Sequence, residues 1–137
     1  MNKHTLTSVL IILIGINLIL SALIVYGQYT GNYFCVTGQS CFIVQTSQYA
    51  QILGLEVSWL GVIAFSVLLI LSILNLYNKL KFKYLLILIT IGTLLAIYFL
   101  IIQFSVLKQT CSQCLPIDIL MLIIFAVALF LNKKKDQ

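Results

Sequence analysis

Residues 110–135 read TCSQCLPIDILMLIIFAVALFLNKKK. A Cys-x-x-Cys pair stands at the head, an apolar run at 114–131 follows, and three lysines close it. Such a run is about what a helix needs to cross the roughly 30 Å hydrocarbon core of a bilayer at 1.5 Å per residue. Three more runs of that kind precede it, at 6–26, 58–77 and 84–107. With 62% hydrophobic and 8% charged residues among 137, and a mean hydropathy of +1.15, no soluble domain of this size buries so much apolar surface. The expected fold is an all-α membrane protein, a bundle of four transmembrane helices in one domain over 1–137, with a loop at 27–57 on one face. The first run follows Lys3 and His4 as a signal peptide would, but it exceeds a signal's 7–15 apolar residues or so and no small-residue cleavage site follows; a retained span is expected.

The net charge of +5 does not point to nucleic acid. Lys3, Lys79, Lys81, Lys83, Lys133, Lys134 and Lys135 fall at the N-terminus, between spans two and three, and at the C-terminus. Four spans place those segments on one side, and the positive-inside rule makes that side cytoplasmic. Lys108 alone lies across the membrane. This orientation puts Cys35, Cys41, Cys111 and Cys114 together on the outer face, where disulfides persist.

Three uses of four such cysteines compete. Two structural disulfides are one, although a loop closed over two intervening residues gains little entropy. A four-thiolate zinc site is another, disfavoured by the Cys35 to Cys41 spacing, the absence of a nearby histidine and an oxidising compartment; no metal is expected. The third is a thiol relay. The positive end of the helix dipole favours a thiolate at a helix N-terminus, and Pro116 suits a first turn, so Cys114 is the expected tuned sulfur. Soluble dithiols cannot enter the bilayer and quinones cannot leave it. A chain joining them needs one pair in water and one at the lipid boundary.

The strings CVTGQSC, FIVQTSQYAQILGLEVSWLGVIAF and CSQC, in that order, resemble the vitamin K epoxide reductase family in its smaller prokaryotic form. The family pattern falls on Cys35, Cys41, Ser47, Cys111 and Cys114, with Tyr49, Gly54, Ser58 and Gly61 as framework positions. The resemblance covers nearly the whole chain. It implies a bundle built around a quinone of the menaquinone, ubiquinone or vitamin K type, capped by the loop and a short interfacial helix. It implies electron flow from a thioredoxin-like extracytoplasmic protein to a Cys35–Cys41 disulfide, on to a Cys111–Cys114 disulfide and then to the quinone, in the plasma membrane, supporting disulfide formation. Quinone or quinone-epoxide reduction as the main role is the alternative; a non-enzymatic scaffold with structural disulfides is another. Many bacterial relatives carry a fused thioredoxin-like domain and an extra span; their absence here makes the expected partner a separate protein.

Independently, Phe42, Gln45, Tyr49, Ile52 and Leu53 follow helical spacing, as expected for an interfacial lid helix. The family often has a tyrosine four residues after the second cysteine of the motif, where this chain has Asp118. A carboxylate one turn into a span is a functional candidate by default, and at i+4 it shares the face of Cys114. Asp118 is expected to handle quinone protons or to tune Cys114, with a hydrated interfacial carboxylate as the plain alternative. An asparagine that contacts quinone in vertebrate members corresponds to Val57, so that contact is not carried over. Ser47 is expected to bond a thiolate or to hold the lid. Asn17, Thr90, Thr93, Tyr98 and Gln103 are expected to bond between helices, and Gly15 and Gly92 to permit close helix approach.

Overall fold

A computed structural model describes residues 2–32, 35–36 and 38–136. Tyr33, Phe34 and Thr37 of the expected loop, the last of them inside the CVTGQSC string, lie outside the described residues, as do Met1 and Gln137. Among the described residues, four helices are long and apolar enough to cross a membrane: α1 (Lys3–Thr30), α3 (Val57–Leu76), α4 (Phe82–Ile101, continued by a π-helical turn, Ile102–Val106) and α5 (Cys114–Asp136). The four-span expectation holds, with α1 running farther at both ends than 6–26.

Contacts between the helices make them alternate in direction. Gly61 of α3 lies against Ser21 of α1, Asn17 of α1 donates to the Ile117 carbonyl of α5, and Lys135 near the end of α5 donates to Asn75 near the end of α3. One end of the bundle therefore carries the four cysteines, and the other carries the start of α1 and the end of α5. Leu10, Ile14, Leu85, Ile89, Ile124 and Leu131 are fully buried where α1, α4 and α5 meet. The perimeter is lined by apolar side chains such as Ile12, Ile19, Leu94 and Phe130, as a lipid-facing surface requires.

The end away from the cysteines is tied by side chains. Asn75 donates to the Leu80 carbonyl across the α3–α4 connection and accepts from Lys135, whose ammonium also sits 4.5 Å from the centre of the Phe82 ring.

Between α1 and α3 the lid is more broken than its helical spacing suggests. Gly31, at φ 71°, ends α1 in the left-handed conformation, and α2 spans only Ser40–Thr46. A 3₁₀ turn (Gln48–Ala50) and a two-stranded hairpin follow: β1 (Gln51–Ile52) pairs antiparallel with β2 (Leu55–Glu56), Ile52 opposite Leu55. Leu53 and Gly54 form the two-residue turn at φ 55° and 80°, as in a type I′ hairpin. Tyr49, Ile52 and Leu53 are thus off the helix, and Leu53 is 99% exposed at the hairpin tip.

Most polar residues within the spans divide into those that satisfy themselves on their own helix and those that bond across to another. Thr90 and Thr93 donate to carbonyls four residues back in their own helix, as do Ser66 and Ser72, and so bridge nothing. Tyr98 is outward, its ring edge-on to Phe99. Asn17 and Gln103 do cross between helices. Gly15 faces open space, whereas a Cβ at Gly92 would meet the Met121 methyl at 2.6 Å and one at Gly61 would touch Ser21.

Candidate redox site

Helix α2 sets Cys41 in its first turn, so that Val44 and Gln45, three and four residues on, share its inward face; all three are buried while Phe42 and Ile43 stay exposed. The lid is tethered to the segment before α5. Ser40 donates to Gln109 Oε1 at 2.8 Å, and the Val36 amide donates to Ser112 Oγ at 3.1 Å.

That tether brings the cysteine pairs together. Cys35 and Cys41 form one disulfide, with Cα atoms 5.9 Å apart, and Cys111 and Cys114 another at 5.2 Å. Cys41 and Cys111, both at 0% exposure, pack with Val44 in one cluster, flanked by the partly exposed Cys35 and Cys114. Two polar side chains bracket the junction. Ser112 Oγ lies 3.6 Å from each sulfur of the first disulfide, and Gln45 Nε2 lies 3.7 Å from Cys111 Sγ and 3.9 Å from Cys114 Sγ. Because disulfide sulfurs only accept, both contacts are donations from the hydroxyl and the amide.

At the start of α5 the Cys114 amide donates to Cys111 Sγ at 3.1 Å, and the Leu115 amide to the Cys111 carbonyl at 3.0 Å. The amide of the first helical residue thus addresses Cys111. Pro116, in the first turn, has no N–H to leave orphaned.

Beneath the sulfurs, α4 widens into its π-helical turn, and the Gln103 carbonyl accepts from the Gln109 amide at 3.1 Å. The buried Gln103 side chain then bridges two elements: Nε2 donates to Asp118 Oδ2 at 3.1 Å, and Oε1 accepts from the Cys111 amide at 3.3 Å. Asp118, one turn below Cys114, is buried against that amide.

Cys114, Asp118, Gln103 and Gln45 lie on the wall of a cavity of about 630 Å³. Its remaining lining is overwhelmingly apolar and comes chiefly from α3 and α4. Ile63 and Ile91 line it and are still 57% and 52% exposed, so the cavity opens sideways between those helices onto the lipid-facing surface. A volume within the usual range of about 300–1,000 Å³, with a few polar groups in an apolar lining, suits a flat polar head group with an apolar tail.

Ser47 also lines the cavity, but its hydroxyl donates to the Val44 carbonyl at 2.8 Å, holding the end of α2. Gln45, Ser112 and Gln103 are the residues that sequence reasoning did not assign to the site. Local signals existed for two of them: Ser112 is inside CSQC, and Gln45 is four residues past Cys41.

A four-span membrane protein whose two disulfides abut at one end of the bundle, one of them on the wall of an apolar cavity, has the construction of a membrane thiol–disulfide oxidoreductase. The model of the vitamin K epoxide reductase family matches residues 8–129, and the chain belongs to that family. Compared with curated proteins one at a time, it has no match. Members of the family are membrane thiol–disulfide oxidoreductases and quinone reductases, which use quinones in general and work with thioredoxin-like partners. This chain is accordingly a multi-pass membrane oxidoreductase.

Proposed function

We propose that the chain carries electrons from a separate thioredoxin-like dithiol protein outside the cell, through Cys35–Cys41 and then Cys111–Cys114, to a quinone of the plasma membrane, and so generates disulfides in exported proteins. The observation that carries this reading is the graded exposure of the four sulfurs. Cys35 and Cys114 are the partly exposed ends of a line whose middle members, Cys41 and Cys111, are buried in contact. The lysine-rich end of the bundle, opposite the cysteines, supports cytoplasmic termini and an outward-facing site.

A donor thiolate attacks Cys35 Sγ and the Cys35–Cys41 bond breaks; the donor's second thiol resolves the mixed disulfide, so the donor leaves oxidised. Ser112 donates its hydroxyl hydrogen to the departing Cys41 thiolate, which no solvent reaches. Cys41 then attacks Cys111, breaking Cys111–Cys114 and freeing Cys114 as a thiolate on the cavity wall, where Gln45 Nε2 stabilises it. Cys35 attacks Cys41 in turn, restoring the first disulfide and leaving Cys111 as a thiol. A bound quinone supplies a two-electron, two-proton acceptor, so that the Cys111/Cys114 dithiol returns to a disulfide as quinol forms. Asp118 holds a proton at that wall, with Gln103 orienting its carboxyl.

The test follows quinone absorbance with the detergent-purified chain and a dithiol donor. The unaltered protein consumes quinone, Cys114→Ala abolishes this, and Cys35→Ala blocks protein donors more than small ones. Quinones left untouched by the unaltered chain would overturn the relay.

A further inference from the structure

Hydroxyls inside an apolar span ordinarily satisfy themselves on the helix that carries them, by donating to the carbonyl one turn back. Thr7, Ser66, Ser72, Thr90 and Thr93 all do so, at 2.7–3.0 Å. Ser21 in α1 does not. Among the described residues its hydroxyl has no hydrogen-bond partner, although the residue is only 3% exposed. Nor is that oxygen sealed in. The side-chain oxygens of the described residues that lack both a partner and accessible surface are those of Asn17, Gln28 and Gln45. The Ser21 oxygen therefore keeps an opening, and Ser21 is on the wall of the cavity.

Its height in the bundle follows from the residue one turn before it. Asn17 donates to the Ile117 carbonyl, and α1 and α5 run in opposite directions. One turn along α1 toward the cysteine end reaches Ser21, and one turn along α5 the same way reaches Cys114, rises of about 6 Å and about 4.5 Å. Ser21 and Cys114 thus line the cavity at nearly the same level. Opposite Ser21, α3 has Gly61, where a Cβ would come within 3.4 Å of the hydroxyl oxygen, so glycine leaves that oxygen uncrowded. The other hydroxyls of the wall differ: Ser47 donates to the Val44 carbonyl, and Tyr49 and Ser58 are only half buried.

We propose that the Ser21 hydroxyl donates a hydrogen bond to a carbonyl oxygen of the cavity's ligand, and so holds a quinone head group at the level of Cys114. The inference rests on the relay reading, in that it assigns the cavity to a quinone, and it adds a binding residue on the one span that borders none of the cysteine pairs' own helices in sequence. An unpaired hydroxyl in an apolar wall is costly, and a carbonyl is an acceptor that satisfies it. Apolar contact alone lets a flat ring slide and turn in a cavity of about 630 Å³, whereas one directed bond near the sulfurs limits both. Such a bond between neutral groups corresponds to about a tenfold gain in affinity. Ser21 thereby gives the cavity a preference for rings that bear carbonyl groups over hydrocarbons of the same shape. The preference matters because the cavity opens toward lipid, whose apolar tails compete for it.

The experiment measures equilibrium binding to the oxidised, detergent-purified chain without a dithiol donor, so that no turnover contributes, with empty micelles as the blank. The probes are duroquinone and durene, the same methylated ring without carbonyl groups. In Ser21→Ala, which keeps the Cβ and suits a helix, duroquinone is expected to bind about tenfold more weakly and durene as it does to the unaltered chain. Infrared spectra supply a second readout. The carbonyl stretch of duroquinone bound to the unaltered chain is expected below its position in empty micelles, and Ser21→Ala should move it back toward that position. A duroquinone affinity unchanged by the substitution overturns the proposal while leaving the relay standing. So does a loss shared equally by both probes, since the residue then only shapes the wall. Should Ser21→Ala not fold, the unaltered chain still decides against the proposal if the bound carbonyl band coincides with that in empty micelles. Failure of duroquinone to bind the unaltered chain at all removes the quinone assignment of the cavity and this inference with it.

Discussion

Gln103 joins Asp118 to the sulfur-bearing part of the site, and removing it tests whether that joint is real. Gln103→Met keeps the length and bulk of the side chain while deleting the donor to Asp118 Oδ2 and the acceptor of the Cys111 amide, at 3.1 and 3.3 Å. Both groups are buried. A buried group left without its partner costs about 1–3 kcal/mol, with the carboxyl toward the upper end and the longer amide bond toward the lower, so the substitution is expected to cost about 3–5 kcal/mol. Asp118→Leu leaves only Gln103 Nε2 orphaned. The double variant has neither the carboxyl nor its donor, so its cost should fall short of the sum of the single costs by about 1–2 kcal/mol. The assay is unfolding of the purified chain in mixed micelles of rising SDS content, followed by far-UV circular dichroism, for the four members of the cycle. Costs that add to within about 0.5 kcal/mol would refute the bridge, because uncoupled sites behave that way.

Three further outcomes are expected. Asp118→Asn keeps an oxygen for Gln103 but cannot hold the same proton; quinone turnover should fall by about 10²–10⁴-fold, while thiol labelling still shows a dithiol donor reducing both cysteine pairs, and undiminished turnover with an unaltered pH profile would remove Asp118 from the chemistry. Ser112→Ala deletes the hydroxyl beside Cys35 and Cys41 and should slow dithiol consumption in stopped flow by about tenfold, with Ser112→Thr recovering most of it; equal rates in all three proteins would count against a role in the exchange. At the opposite end, Asn75→Ala removes the link from α3 to Leu80 and Lys135 and should lower stability in the same SDS titration by about 1–3 kcal/mol, an unchanged midpoint meaning that the clamp contributes nothing.

The four spans were legible because hydropathy is a local, additive property: each run carries its own reason to be a membrane helix, whatever its neighbours do. Cys-x-x-Cys was legible for the same reason, as were Pro116 behind it and the family pattern across Cys35, Cys41 and Ser47. The lid was legible only in part. Its periodicity from Phe42 to Leu53 suggested one helix, yet the chain turns at Leu53–Gly54, and helical spacing is blind to a hairpin made of residues with the same apolar character.

What the sequence by itself determined is the membrane class, the number of spans, the clustering of four cysteines at one end and the presence of a carboxyl one turn below the last of them. Tertiary structure alone decided what each polar side chain does. Thr93 and Gln103 are both polar and both buried in the same span, yet one satisfies itself on its own helix and the other reaches α5. Their difference is one of reach and of partners that lie close only after packing: a threonine hydroxyl can find a carbonyl one turn back, whereas a glutamine amide in a buried wall is satisfied only by groups brought in from elsewhere in the chain. Gln45 and Ser112 are likewise residues of the site because α2 folds back over the start of α5, a contact between segments some seventy residues apart that no local pattern encodes.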